Sequence, residues 1–118
     1  MIVHSIEWLS QDAQEAVVTI VDGNVELVCF SQPFRTALGS KLTERIHGFD
    51  ASEVMRARTS MALYEKTGMW SYFLRGQYMG NGAVLIETVS VYINEALIPK
   101  DIINGEFVEF FVSRLDLY

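Results

Sequence analysis

Cysteine and histidine are scarce in this sequence, which contains only Cys29, His4 and His47. A single cysteine excludes an internal disulfide and a thiolate zinc cluster. The two histidines are far apart in sequence, so we predict no metal site. Cys29 alternates with Val25 and Leu27, a pattern that predicts a buried and unreactive thiol.

Long apolar runs are also missing. No stretch approaches the roughly 20 apolar residues that a membrane-spanning helix needs. The N-terminal segment has neither the basic region nor the cleavage site of a secretory signal. Together with the lack of disulfides, these features predict a cytoplasmic protein with no membrane partner.

The common phosphate-binding and catalytic motifs are absent as well. The sequence contains no Gly-x-x-x-x-Gly-Lys-Ser/Thr loop, no Gly-x-Gly-x-x-Gly that opens a helix and no Gly-x-Ser-x-Gly elbow. We therefore predict no catalytic residues, no metal and no cofactor, and we favour a non-enzymatic protein over an enzyme.

Positive charge is sparse and unevenly placed. The chain has 9 Lys and Arg against 15 Asp and Glu, a net charge of −6, which argues against a generic nucleic-acid or membrane-surface binder. Residues 1–34 carry five acids and no Lys or Arg, whereas residues 35–75 carry seven bases and four acids. The middle of the chain is therefore locally basic within an acidic protein.

Apolar residues, in contrast, are abundant. Half of the 118 residues are hydrophobic, and the mean hydropathy of +0.20 is high for a small protein. A body of this size cannot hide so much apolar side chain from water. We therefore expect an exposed apolar surface that binds another protein or a second copy of this chain.

Apolar and polar residues alternate in several segments, which is typical of strands with one buried face. These segments are 15–21, 25–30, 41–49, 70–79, 83–94 and 106–117. Asp22-Gly23-Asn24 and Gly80-Asn81-Gly82 favour tight turns and predict two hairpins. The last segment is apolar on both faces, so we expect both of its faces to be covered.

Residues 51–66 fit two structures. As a helix, Asp50 would be the N-cap and Glu53 would complete a capping box. As a strand, Met55, Ala57 and Met61 would share one face. The pattern does not separate the two.

These elements predict a single mainly β domain over residues 1–118, a small barrel of five to six strands with a short helix or a strand at 51–66. The order of elements from about Glu15 onward resembles the oligonucleotide/oligosaccharide-binding (OB) fold, a five-stranded partly open barrel. The resemblance implies a barrel whose second and third strands form the usual ligand face.

Basic and aromatic residues cluster in the middle of the chain. Planar rings stack on bases or sugars, and guanidinium groups pair with phosphate or carboxylate. The candidate ligand-binding residues are Arg56, Arg58, Trp70, Tyr72, Phe73 and Arg75, and the wider cluster adds His47, Phe49, Tyr64 and Tyr78. Because Trp70, Tyr72 and Tyr78 share one face of a predicted strand, an aromatic core with solvated arginines is the favoured interpretation.

Two carboxylates, Glu87 and Glu109, lie on apolar faces of predicted strands. A buried carboxyl group could act as a general acid or base, although such a residue more often marks a bulge, a strand end or an ion pair, for which Arg75 or Arg114 could supply the partner. Arg114 and Asp116 are two residues apart and point the same way on the last strand, which predicts a surface ion pair.

Three functional hypotheses follow. The leading one is an interaction module that binds a protein partner or itself, since surplus apolar surface is present and a catalytic set is not. The alternative is binding of single-stranded nucleic acid or an anionic oligosaccharide through the central Arg and aromatic cluster. The third is a small-ligand barrel or an enzyme with a buried carboxylate.

Overall fold

The computed structural model describes all 118 residues, of which 55% lie in strands, with one 3-10 turn, η1 (Glu95–Leu97). The prediction of a mainly β chain is confirmed. The strands are β1 (Ile2–Ser10), β2 (Glu15–Asp22), β3 (Val25–Ser31), β4 (Ile46–Phe49), β5 (Ser52–Arg56), β6 (Leu63–Lys66), β7 (Tyr72–Gly80), β8 (Ala83–Ile86), β9 (Val89–Tyr92), β10 (Phe107–Val112) and β11 (Arg114–Leu117).

All eleven strands belong to one sheet in the order β1-β2-β3-β11-β4-β9-β8-β7-β10-β5, and β6 pairs with β7. The path ends at β1 and β5, so the sheet is not closed, and the predicted number of five to six strands was wrong. Most pairs are antiparallel. The exceptions are β11 with β3 and β4 with β9, which are parallel.

Both predicted hairpins are confirmed. Gly23 begins the two-residue turn between β2 and β3 with a φ of +60°. Asn81 and Gly82 both have positive φ, 55° and 79°, between β7 and β8. Positive φ at these positions gives the turn a twist that matches the twist of the flanking strands, so local sequence alone specifies both reversals.

The helix considered for residues 51–66 is not formed. β5 pairs with β10 and β6 pairs with β7, with residues 57–62 between them. Asp50 and Glu53 have φ values of 55° and 54°, so neither adopts the backbone that a capping box requires. Pairing with distant strands overrides the local helical pattern in this segment.

The structure divides two of the predicted strands, shortens segment 41–49 to β4 (Ile46–Phe49) and adds β1. Segment 83–94 breaks at Glu87, which has a φ of 55°, and segment 106–117 breaks at Ser113. β1 lacks clean alternation because its register with β2 shifts between Val3 and Ser5 and again between Trp8 and Ser10. No helix of the structure has the length and apolarity to cross a membrane.

The core contains 25 buried hydrophobic residues, most of them contributed by the inward face of the sheet and the others by connecting segments. On β7 the inward side chains Tyr72, Leu74 and Tyr78 are buried, which confirms these three members of the predicted core face. Trp70, which was predicted to share that face, precedes β7 and is only partly buried, so this part of the prediction was wrong. On β10, Phe110 is fully buried, but its neighbour Phe111 is 40% exposed. The prediction that both faces of this segment are covered was therefore wrong.

The thiol of Cys29 lies in this core, as its alternation predicted. Burial, and to a smaller extent the charge of Asp116, raises the pKa of the thiol, and only the thiolate is reactive. We expect the folded protein not to react measurably with a thiol-specific disulfide reagent at pH 8. The unfolded protein in denaturant should react with one equivalent, and rapid labelling of the folded protein would contradict the burial.

Candidate functional site

An aromatic face covers the outer side of four adjacent strands, β3, β11, β4 and β9. Inward and outward side chains alternate along each strand, so the outward positions of the four strands come together. The aromatic face comprises Phe30, Arg45, His47, Phe49, Tyr92, Arg114, Asp116 and Tyr118.

Arg114 occupies the middle of the aromatic face. Its guanidinium carbon lies 4.3 Å from the ring centroid of Phe30 and 5.0 Å from that of Phe49. Its Nε and Nη2 donate to the two carboxylate oxygens of Asp116 at 2.5 and 3.0 Å. The hydrogen bond and charge of Asp116 raise the pKa of Arg114. The predicted Arg114–Asp116 pair is thus confirmed, and both side chains are held in place by rings and by each other.

A cavity of about 330 Å³ adjoins this pair. It is lined by residues 47–50, by residues 92–94, and by Asp116 and Tyr118. The rings of His47 and Tyr118 are stacked, with centroids 3.9 Å apart and planes 6° apart. Burial, followed by the charge of Arg45, lowers the pKa of His47, so the imidazole is neutral at pH 7. The cavity therefore has aromatic walls and uncharged as well as acidic polar groups.

The free edge of β1 is a second surface. On the side away from β2, only Met1 and Val3 make backbone hydrogen bonds, to residues 39–42 at 2.8 to 2.9 Å. From His4 to Leu9 that edge has no backbone partner. Ser5–Trp8 lies between the two register shifts and keeps a regular strand register.

An apolar cleft of about 390 Å³ lies beside this edge, on the outer side of β1, β2 and β3. Its lining is Leu9, Val17, Val28, Met69 and Trp70, with the polar residues Glu7, Thr19 and Lys66. The Lys66 ammonium donates to the carbonyls of Gly68 and Met69. Trp70 meets Phe30 edge-on at 6.0 Å, so the cleft and the aromatic face adjoin.

The structure places the three predicted arginines apart. Arg56, at the end of β5, is paired with Glu106 at 3.1 Å and with Asp101 at 3.4 Å. Arg75, on β7, is paired with Glu109 at 2.9 Å, which is one of the alternatives that the sequence left open for this glutamate. Arg58 follows β5, is exposed and has no ion-pair partner.

The predicted rings also divide among surfaces. Tyr72 lies in the core, and its hydroxyl accepts a hydrogen bond from the Val28 amide at 2.9 Å. Phe73 points outward, 4.8 Å from Phe111 and 5.9 Å from the guanidinium of Arg75. Trp70 belongs to the cleft beside β1. Of the six candidates, only Phe73 and Arg75 form a local group.

Sequence reasoning singled out some residues of the two surfaces, namely His47, Phe49, Trp70, Arg114 and Asp116, but did not bring them together. Phe30, Tyr92 and Tyr118 come from three separate segments, and Leu9 lies on β1, which was not predicted as a strand. Alternation in the sequence is enough to place Phe30 on the outer face of its strand and Arg114 and Asp116 on the same side of theirs. It does not predict which strands become neighbours in the sheet.

The sequence matches no protein-family model, no curated protein and no solved structure.

Proposed function

We propose that this protein is a non-enzymatic binding module that pairs an extended segment of a partner protein with the free edge of β1. The observation that supports this function is the unpaired edge from His4 to Leu9. An extended peptide adds to such an edge through main-chain hydrogen bonds. Natural edge strands are commonly protected by Lys, Pro or β-bulges. β1 contains no Lys or Pro, and its two register shifts lie on either side of the regular segment Ser5–Trp8.

Apolar side chains on both faces of β1 would contact the added strand. Leu9 is 50% exposed and adjoins the cleft on the outer face. Trp8, which contacts Phe34 at 6.1 Å, is 40% exposed on the other face. Alternate residues of an added strand therefore meet apolar surface on either side, which favours a partner segment with apolar residues.

The acidic charge around β1 favours a different protein over a second copy of this chain as the partner. Residues 1–34, which form β1, β2 and β3, contain five acids and no Lys or Arg. Two copies joined through β1 would bring these acidic regions together, and like charges repel. A basic segment would be attracted and captured faster. The proposed partner is therefore a different protein that offers alternating apolar and basic residues.

The other hypotheses draw less support from the geometry. Phosphate binding needs free positive charge, but two of the three candidate arginines, Arg56 and Arg75, are already paired with carboxylates, and only Arg58 is free. Glu109 is held in the Arg75 pair, and Glu87 lies exposed in the turn between β8 and β9. We rank nucleic-acid binding second and an enzyme third.

The test uses a synthetic peptide of alternating valine and lysine, titrated into the protein at low salt by calorimetry. We expect it to bind and to protect backbone amides of Ser5–Trp8 from hydrogen–deuterium exchange. A valine–glutamate peptide should not bind. The valine–lysine peptide methylated on alternate backbone nitrogens should bind at least about tenfold more weakly, because it cannot complete the ladder.

Two variants separate edge binding from general charge attraction. Leu9→Lys and Met79→Lys add the same charge at positions that are both 50% exposed. Leu9→Lys should weaken binding about tenfold or more, because lysine blocks an edge, and Met79→Lys should not. Equal losses in both variants, protection at β5, or a free protein that dimerises through β1 would overturn the proposal.

A further inference from the structure

We infer that the cavity on the aromatic face binds a neutral, planar nitrogen heterocycle of the nucleobase type. This site is separate from the edge of β1, and the inference does not depend on the proposed function. Its support comes from the shape of the walls, the polar groups at the rim and the balance of charge.

The walls offer a stacking surface. His47 covers one side of Tyr118 at 3.9 Å with nearly parallel planes, and the tyrosine remains 68% exposed. A flat ring placed on the open side of Tyr118 would extend this stack. Stacking of a base on an aromatic side chain is favourable for every base, since each has a π-face.

The rim holds one oriented acceptor and one oriented donor. One carboxylate oxygen of Asp50 accepts a hydrogen bond from the Ser113 hydroxyl at 2.8 Å, so the other oxygen is available. The side-chain oxygen of Asn94 accepts from the Ala96 amide at 3.0 Å, which leaves its NH₂ group as a donor. The edge of a nucleobase carries both a donor and an acceptor and matches such a pair.

Charge disfavours anionic ligands in this cavity and gives a cation only one partner. Asp116 is neutralised by Arg114 and the face of Tyr92 is occupied by Arg45 at 4.6 Å, which leaves the Asp50 carboxylate as the one acidic group without an ion pair. Asp50 would repel a phosphate group. The volume of about 330 Å³ is at the lower end of the range for ligand sites and suits a ring with at most one sugar.

The test is a titration with adenosine, guanosine, cytidine and uridine, followed by two-dimensional NMR. We expect at least one nucleoside to bind at about 1 mM or below, with shifts at Gly48, Tyr92 and Tyr118. Its 5′-monophosphate and an oligonucleotide that ends in the same base should bind more weakly. Methyl glucoside, which lacks a π-face, should not bind.

Variants at the rim and the wall complete the test. Tyr118→Leu should weaken binding about tenfold, whereas Phe111→Leu, an exposed ring elsewhere, should not. Asn94→Asp keeps the acceptor for the Ala96 amide and removes the donor, so it should change which nucleoside binds best. The inference fails if no nucleoside binds at about 10 mM, if the monophosphate binds more tightly, or if Tyr118→Leu has no effect.

Discussion

Replacing Phe110 by alanine should lower the free energy of unfolding by about 3–5 kcal/mol. Phe110 is among the largest side chains that are fully buried, and β10 lies between β7 and β5 in the sheet. Truncation removes the ring from the core and leaves a cavity that the surrounding strands cannot fill. A small domain has only about 5–15 kcal/mol of stability, so the variant should be close to unfolding. Urea denaturation followed by tryptophan fluorescence measures the loss.

The neighbouring residue supplies the control. Phe111 has the same side chain on the same strand, but it points outward and is partly exposed against Phe73. Phe111→Ala should cost less than about 1.5 kcal/mol, because it loses one partly solvated ring contact. Similar losses for the two variants would mean that β10 does not divide its side chains between core and surface.

Alternation was enough to predict the core positions of β3. Val25, Leu27 and Cys29 were assigned to one face before their partners were known, and all three are fully buried. The two hairpins could be predicted for a related reason, because positive φ at Gly23 and Gly82 is a local requirement of a tight turn. The buried face of a strand and the position of a tight turn both depend on a few consecutive residues of the sequence.

The order of the strands is not local information. β11 inserts between β3 and β4, so that Asp116 is the neighbour of both Phe30 and His47. These three residues are far apart in sequence, and nothing in their own segments specifies the contact. The five- to six-strand count failed because Glu87 and Ser113 each end a strand inside a continuous alternating pattern, because β1 was not predicted, and because residues 51–66 contain the two strands β5 and β6.

The candidate functional residues show the same difference between local features, which the sequence predicts, and strand neighbours, which it does not. The sequence indicated that Arg75 or Arg114 could pair with Glu109, and the register of β7 with β10 places Arg75 opposite Glu109. Because Arg75 is paired with Glu109, its positive charge is not free to bind phosphate, as the nucleic-acid hypothesis requires. The edge of β1 could not be predicted, because an unpaired edge is a property of the complete sheet and β1 itself is irregular.

The cleft beside β1 and the aromatic face adjoin, so we expect binding at one surface to affect the other. Phe30 lies on the aromatic face and Trp70 lines the cleft beside β1, and their rings are in edge-to-face contact. A partner seated in the cleft would contact Trp70 and could bias the position of Phe30 and hence of Arg114. We therefore expect the valine–lysine peptide to change the NMR signals of Arg114, and the nucleoside to change the indole signal of Trp70.

Replacing Gly76 by alanine should destabilise the protein by about 3 kcal/mol. Gly76 is buried in the middle of β7, and a Cβ there would lie 2.4 Å from the Leu85 carbonyl oxygen and 2.9 Å from Ile86 Cγ1. The first contact is with backbone, so β8 would have to move away from β7. A glycine inside a strand commonly marks such a close approach. Urea denaturation measures the loss, with weaker exchange protection of the β7–β8 amides expected alongside.

Gly68→Ala is the matched control, because Gly68 also lies outside the positive-φ region and its added Cβ would meet only the Ser71 hydroxyl, at 2.7 Å. That hydroxyl can rotate away, so the cost should stay below about 1 kcal/mol. Alanine otherwise tends to stabilise an extended chain by restricting the unfolded state. If the Gly76→Ala protein were as stable as the parent, β8 would not lie this close to β7. The register between these strands, which orients the outer face of β8 and β9, would then have to be different.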